Sequence, residues 1–95
     1  MTQPYELDGF LESMDEWMDV EQPDQQQRVA VLDWIFTRAE DPYQSARRQV
    51  DFPNLWLAPV PGTQQGWSIV VCTFWVEERL GRVRRDRFAT LTMPV

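Results

Sequence analysis

The ten residues WSIVVCTFWV, Trp67 to Val76, decide how this chain can fold. They are β-branched or aromatic almost throughout, which is typical of a strand, and successive side chains of a strand point to opposite faces. One face carries Trp67, Ile69, Val71 and Trp75, and the other carries Val70, Cys72, Phe74 and Val76. Because both faces are apolar, the segment is predicted to be an inner strand of a sheet covered on two sides.

A hairpin follows this strand. The stretch WVEERLGRVRRDR, Trp75 to Arg87, supplies a turn with Gly81 where positive φ is needed, and RVRRDRFATLTM returns as the next strand. In the simplest register Thr73 faces Arg87 and Trp75 faces Arg85, which would place the Arg85 guanidinium over the indole ring. The apolar face of the returning strand continues through Ala89, Leu91 and Met93.

The segment before the inner strand also has strand character. LWLAPV begins at Leu55, but Pro59 and Pro61 lack the amide hydrogens that a central strand needs, so it is predicted to lie near the sheet edge. Residues 43–54 show no clear period and contain Pro53. We expect a connection there, with at most one helical turn.

Two helices are predicted in the first half of the chain. The first has an apolar stripe and an acidic opposite side, and Gln22-Pro23 ends it. The second runs from Asp24 to Asp41 and stops before Pro42, with an apolar face wide enough to suggest contacts on more than one side. The stripe of the first helix is Leu7, Phe10, Leu11, Met14, Trp17 and Met18; the apolar residues of the second are Val29, Val31, Leu32, Trp34, Ile35 and Phe36.

These elements predict an α+β fold in one domain, residues 1–95. An N-terminal helical hairpin should pack on one face of a three- to four-stranded antiparallel sheet, with Trp17 and Trp34 in the core. In so short a chain the helices can cover only one sheet face. The second face should therefore meet a protein partner, a second copy of the chain, or the connection at 43–54.

Composition excludes several function classes. The chain has no histidine and a single cysteine, Cys72, which is expected to be a buried, unreactive thiol. We find no nucleotide-binding or metalloprotease motif and no zinc-type ligand set, so no cofactor, metal site or catalytic residue is predicted and an enzyme is disfavoured. Neither a signal peptide nor a membrane span is recognisable, and the expected location is the cytoplasm.

Charge is divided unevenly along the chain. The net charge of −6 is the sum of −9 in residues 1–42 and +3 in residues 43–95, and all nine basic residues are arginine. Either the two halves neutralise one another within the fold, or each offers a charged face to a different partner. The acidic face of the first helix comprises Glu12, Asp15, Glu16 and Asp19.

The hairpin arginines are the main candidate binding residues. They can pair with the acidic helix of the same chain or of a second copy, contact an acidic protein, or contact nucleic acid with an aromatic ring as a stacking surface. Nucleic acid is the weaker alternative, because the acidic helices would repel phosphates. The candidate partner-binding set is Arg79, Arg82, Arg84, Arg85, Arg87, Trp75 and Trp56.

The order of elements resembles the RelE/ParE toxin superfamily. The resemblance rests on a short opening strand at Tyr5-Glu6-Leu7, a helical hairpin, the Glu40-Asp41-Pro42 stop, the Leu55-Trp56-Leu57 strand, and two long antiparallel strands. It implies a toxin-like module that pairs with an antitoxin lying over the exposed sheet face or an edge strand.

The chain departs from the RNase members of that superfamily. Those members are similar in being basic and in placing an arginine early in the penultimate strand and a His or Tyr after the last one; here Ser68 and the tail from Thr92 to Val95 stand at those places. The resemblance therefore favours a non-catalytic module that binds a protein partner or antitoxin. The uncovered sheet face also allows a homodimer. The alternatives are an RNase-type toxin or arginine-hairpin nucleic-acid binder, and an acidic inhibitor that mimics nucleic acid through the first helix.

Overall fold

The computed structural model describes residues 3–92 and contains two helices and five strands. Their order along the chain is β1 (Glu6–Asp8), α1 (Phe10–Glu21), α2 (Gln25–Glu40), β2 (Arg47–Arg48), β3 (Leu55–Pro59), β4 (Ser68–Glu77), a 3₁₀ turn (Glu78–Leu80) and β5 (Arg82–Thr92). Met93, which was expected to continue the apolar face of β5, lies outside the described residues. Within residues 3–92 no helix has the length and apolar character that crossing a membrane requires.

The five strands form one mixed sheet in the order β1-β5-β4-β3-β2. The predicted α+β class, the inner position of β4 and the antiparallel β4–β5 hairpin are confirmed. The prediction of three to four antiparallel strands was wrong in two details. The opening strand β1 pairs parallel to β5. The connection at 43–54 contains the two-residue edge strand β2, not the single helical turn that the sequence suggests.

The core lies between the helices and one face of the sheet. Val70, Cys72 and Phe74 of β4 are almost fully buried there. The Trp34 ring packs edge-on against Phe74 and against Phe88 of β5, with ring centroids 5.9 and 6.0 Å apart. Trp17, at 4% exposure, joins Trp34 in this cluster, so the predicted core role of the two tryptophans is confirmed.

Helix α1 begins one turn later than its apolar stripe suggested. Leu7 lies in β1, because Gly9 adopts φ 81° and turns the chain from the strand into the helix. Leu11, which is predicted to lie on the buried stripe, is 56% exposed. The buried face of α1 is therefore narrower than predicted.

Helix α2 begins and ends where the sequence indicated. The Asp24 side chain accepts a hydrogen bond from the Gln27 amide at the N-terminus, and Pro42 follows the last turn. Its wide apolar face is covered on one side only. Val31, Trp34 and Ile35 are buried, while an outer set stays exposed, namely Val29 at 50%, Leu32 at 38% and Phe36 at 60%.

The sheet surface that faces away from the helices is called the open face here. By strand alternation it includes Leu57, Ile69, Val71, Trp75, Ala89 and Leu91. The connection at 43–54 reaches part of it, because the Phe52 ring meets the Trp75 ring edge-on at 6.0 Å. The remainder includes Leu91, which is 48% exposed, and it borders Trp67, which is 60% exposed.

Candidate functional site

A β-bulge sets which arginine meets Trp75. The β4–β5 register shifts between Thr73 and Phe74, so Thr73 faces Arg87 as predicted but Trp75 faces Arg84. The Arg84 guanidinium carbon lies 5.6 Å from the centre of the Trp75 ring, a cation–π contact. The predicted Arg85–Trp75 contact was wrong because the bulge inserts one residue into β5 and turns Arg85 towards the helices.

Glu77 holds two of the hairpin arginines. Its Oε1 accepts from Arg82 Nε at 3.1 Å and from Arg84 Nε at 3.3 Å. The hydrogen bond from Arg82 and its positive charge, reinforced by Arg84, hold the pKa of the Glu77 carboxyl below its ordinary value. These two arginines are thus partly neutralised at the turn end of the hairpin.

Arg85 connects the basic hairpin to the acidic helix α1. Its Nη1 donates to Glu16 Oε1 at 2.8 Å and to Ser13 Oγ at 3.2 Å. Arg82 makes a longer contact with the acidic first half of the chain, since its Nη1 lies 4.0 Å from the carboxylate of Asp8 in β1. The two charged halves therefore neutralise one another in part, as one of the two sequence interpretations predicted.

The other two hairpin arginines have no acidic partner. Arg79 in the 3₁₀ turn and Arg87 in β5 are exposed and make no ion pair within residues 3–92. Arg47 and Arg48 of β2 share this property and were not recognised from the sequence, because the connection that contains them has no periodic pattern. On the half of the molecule that carries β2, β4 and β5, four exposed guanidinium groups thus form no ion pair with the described residues.

A groove of about 890 Å³ lies between the β2–β3 edge and the 3₁₀ turn. Trp56 and Tyr43 form an aromatic wall, with ring centroids 4.8 Å apart, and Val76 is buried beneath. Burial, together with a hydrogen bond to Glu78, raises the pKa of the Tyr43 hydroxyl, so this group stays a neutral donor. The groove is also lined by Leu80, Arg48 and Arg79.

The groove combines an apolar wall with positive charge. Both of its carboxylates are engaged, Glu77 by two arginines and Glu78 by the Tyr43 hydroxyl. Arg48 and Arg79 are left to meet an anion from outside. Such a lining suits a ligand with an apolar or aromatic body next to a carboxylate.

The acidic face of α1 is solvent-exposed, as predicted. Among Glu12, Asp15, Glu16 and Asp19, Glu16 alone forms an ion pair within the described part of the chain. Residues 3–92 contain no group of three or more Cys, Asp or Glu side chains arranged to hold a metal ion. Cys72 is 1% exposed, and burial raises the pKa of its thiol well above the ordinary value, so it is not available as a nucleophile.

Comparison with models of known families, with curated proteins and with solved structures finds no significant match to this chain.

Proposed function

We propose that this chain is a non-catalytic protein-binding module whose hairpin arginines, groove and open face contact an acidic protein partner. One observation carries the proposal. Exposed arginines without acidic partners border an apolar sheet face and line a groove with the Trp56–Tyr43 wall. Apolar area supplies most of the binding free energy of a protein interface, and the charges select the partner and speed association.

The distribution of carboxylates favours protein over nucleic acid as that partner. Glu77, Glu78 and Asp86 lie among the hairpin arginines, and each would approach a phosphate backbone that docked there. A protein partner can place its own carboxylates selectively opposite Arg79 and Arg87 and cover the apolar surface between them. A nucleic acid carries regularly spaced phosphates and has no such freedom.

A toxin-like module of the RelE/ParE type, with an antitoxin as its acidic partner, is the specific form of this proposal. The order of elements supports it: an opening strand, a helical hairpin that ends at Asp41-Pro42, a strand over Leu55–Pro59, and two long antiparallel strands. A partner segment can reach the open face, or it can add a strand at β2 or along the part of β5 that extends beyond β1.

Binding of two probes of equal charge tests the proposal. One is an acidic peptide with alternating glutamate and aromatic residues, and the other is a single-stranded RNA. We expect the peptide to bind more tightly than the RNA. The double variant Arg79→Glu, Arg87→Glu should lower the affinity for the peptide roughly tenfold or more. Arg28→Glu is the matched control, since it reverses the charge of an exposed arginine on α2.

Two results would reject the proposal. Tighter binding of the RNA, with an affinity that falls steeply as salt is added, would favour the nucleic-acid alternative. Absence of binding to either probe would show that the arginine-bearing surface does not recognise anions.

A further inference from the structure

We infer that the outer surface of the two helices is a second docking site, which takes a basic amphipathic helix of a partner. This surface lies on the opposite side of the molecule from the open face and is independent of the proposed function. It is named the helical surface here and consists of Leu11, Val29, Leu32 and Phe36 with the acidic residues beside them.

The apolar part of the helical surface is continuous along α2. Val29, Leu32 and Phe36 follow the spacing that places side chains on one side of a helix. They are between 38% and 60% exposed, although α2 buries its other face well. Over the eight residues from Val29 to Phe36 this apolar strip extends about 10 Å.

Helix α1 contributes to the same surface. Leu11 and Phe36 line one depression of about 360 Å³, whose floor is formed by Phe10 and Ile35 of the core. Leu11 is 56% exposed. The two helices thus form a shallow apolar groove, and a groove between two packed helices is a geometry into which a third helix fits.

Acidic residues border the apolar strip on each side. On α1, Glu12 lines the depression, and Asp15 and Asp19 follow Leu11 at four-residue intervals. On α2, Asp33 follows Val29 and Glu40 follows Phe36 at the same interval. None of these five carboxylates forms an ion pair within residues 3–92.

The two helices themselves carry little positive charge. The two helices contain two arginines; Arg38 is buried at 2% exposure, and Arg28 lies at the N-terminal end of α2 with its Nε donating to the Pro23 carbonyl at 3.0 Å. The helical surface therefore favours a partner that carries lysine and arginine around an apolar stripe. A second copy placed symmetrically would bring equal acidic surfaces together, which is unfavourable.

The probe for the test is a synthetic helical peptide with leucines at i, i+3, i+4 and i+7 and lysines elsewhere. We expect this peptide to bind the intact chain. The double variant Leu32→Ser, Phe36→Ser should lower the affinity for it roughly tenfold or more. Val20→Ser is the matched control, because Val20, at 83% exposure, is more exposed than Leu32 or Phe36 and lies outside the helical surface. Asp33→Asn, Glu40→Gln should weaken binding and reduce its salt dependence, whereas Asp51→Asn should not.

Four outcomes would overturn the inference. Equal binding of a scrambled peptide with the same composition would show that charge alone is recognised. Unchanged binding by Leu32→Ser, Phe36→Ser, or no binding to the wild type, would show that the apolar strip does not dock a helix. A wild-type dimer that Leu32→Ser, Phe36→Ser converts to monomer would identify the surface as a contact between copies. The double variant Arg79→Glu, Arg87→Glu should bind this basic peptide as well as the wild type does. Failure of this inference can therefore be told apart from failure of the proposed function.

Discussion

Arg85 lies directly against Gly9, so closely that a Cβ atom at position 9 would be 2.7 Å from the Arg85 Cγ and 2.8 Å from its Cδ. Gly9 also needs positive φ to turn β1 into α1. We expect Gly9→Ala to lower the free energy of unfolding by about 2–3 kcal/mol, from backbone strain and from displacement of the Arg85 side chain. Urea titration measures the change.

The control for this prediction is Gly66→Ala. Gly66 also has positive φ, at 58°, but a Cβ there would meet no atom within 4 Å. Gly66→Ala should therefore lower the free energy of unfolding by only about 1 kcal/mol, from backbone strain alone. Replacing Arg85 by Ala in the Gly9→Ala background should recover part of the loss, and additive effects of the two substitutions would contradict a direct contact.

Local pattern was sufficient to predict the helices, the inner strand and the hairpin, because each is encoded by residues near one another in sequence. Two features depend on contacts between distant segments. The parallel pairing of Glu6–Asp8 with β5 joins the two ends of the chain, and no short-range signal indicates it. The β2 strand is two residues long and takes its conformation from β3, so its own sequence carries little preference.

The candidate site was predictable in part. The arginine-rich hairpin is apparent in the sequence, but the bulge in β5 is not. Because of the bulge, Arg84 faces Trp75 and Arg85 faces the helices, the reverse of the simplest register. Tyr43 and Arg48 reach the groove only through the fold of the connection. Arg38 lies outside the candidate site, but its burial was predictable, since it follows Trp34 by four residues on the buried face of α2.

Arg38 should be the most sensitive charged residue for stability. Its guanidinium lies 4.6 Å from the centre of the Trp34 ring, and Nη1 donates to the carbonyls of Pro42 and Gln44 at 3.2 and 2.9 Å. Arg38→Ala would leave a cavity and two carbonyls without this donor, and we expect a loss of about 2–5 kcal/mol in the free energy of unfolding. Arg28→Ala, on the exposed side of the same helix, should change the free energy of unfolding by less than about 0.5 kcal/mol. Equal effects would contradict this account.

Stability should fall in acid partly through Glu77. The bond from Arg82 lowers the pKa of Glu77 in the folded state below the ordinary value of 4.5, so the folded state favours the carboxylate. The resulting stabilisation is complete above pH 4.5 and is lost as the pH falls through the lowered pKa. We expect Glu77→Gln to lower Tm at neutral pH and to match the wild type more closely in strong acid. Glu40→Gln, which removes an exposed carboxylate that forms no ion pair with the described residues 3–92, should show no such convergence.

The Cys72 thiol should react with a thiol reagent only when the chain opens. Burial hides the sulfur and raises the pKa of the thiol, so two effects slow the reaction. We expect modification of the native protein to be slower than that of the unfolded protein by on the order of a hundredfold or more. In a Gln64→Cys variant the added thiol is exposed and should react at once, which gives two phases in one molecule. A fast reaction of Cys72 itself would contradict its core position.

Self-association should respond to salt in a direction that identifies the surface involved. A twofold axis that brought two open faces together would place the Arg87 side chains of the two copies in mutual repulsion, while Leu91 and Ile69 would attract. Added salt screens the repulsion and leaves the apolar attraction. We therefore expect light scattering to report a monomer at low salt and a rising molar mass at high salt. Leu91→Glu should keep the chain monomeric in each condition, and Phe36→Ser should not. A molar mass that falls as salt is added would instead mean that the arginines of one copy pair with the acidic face of α1 in another.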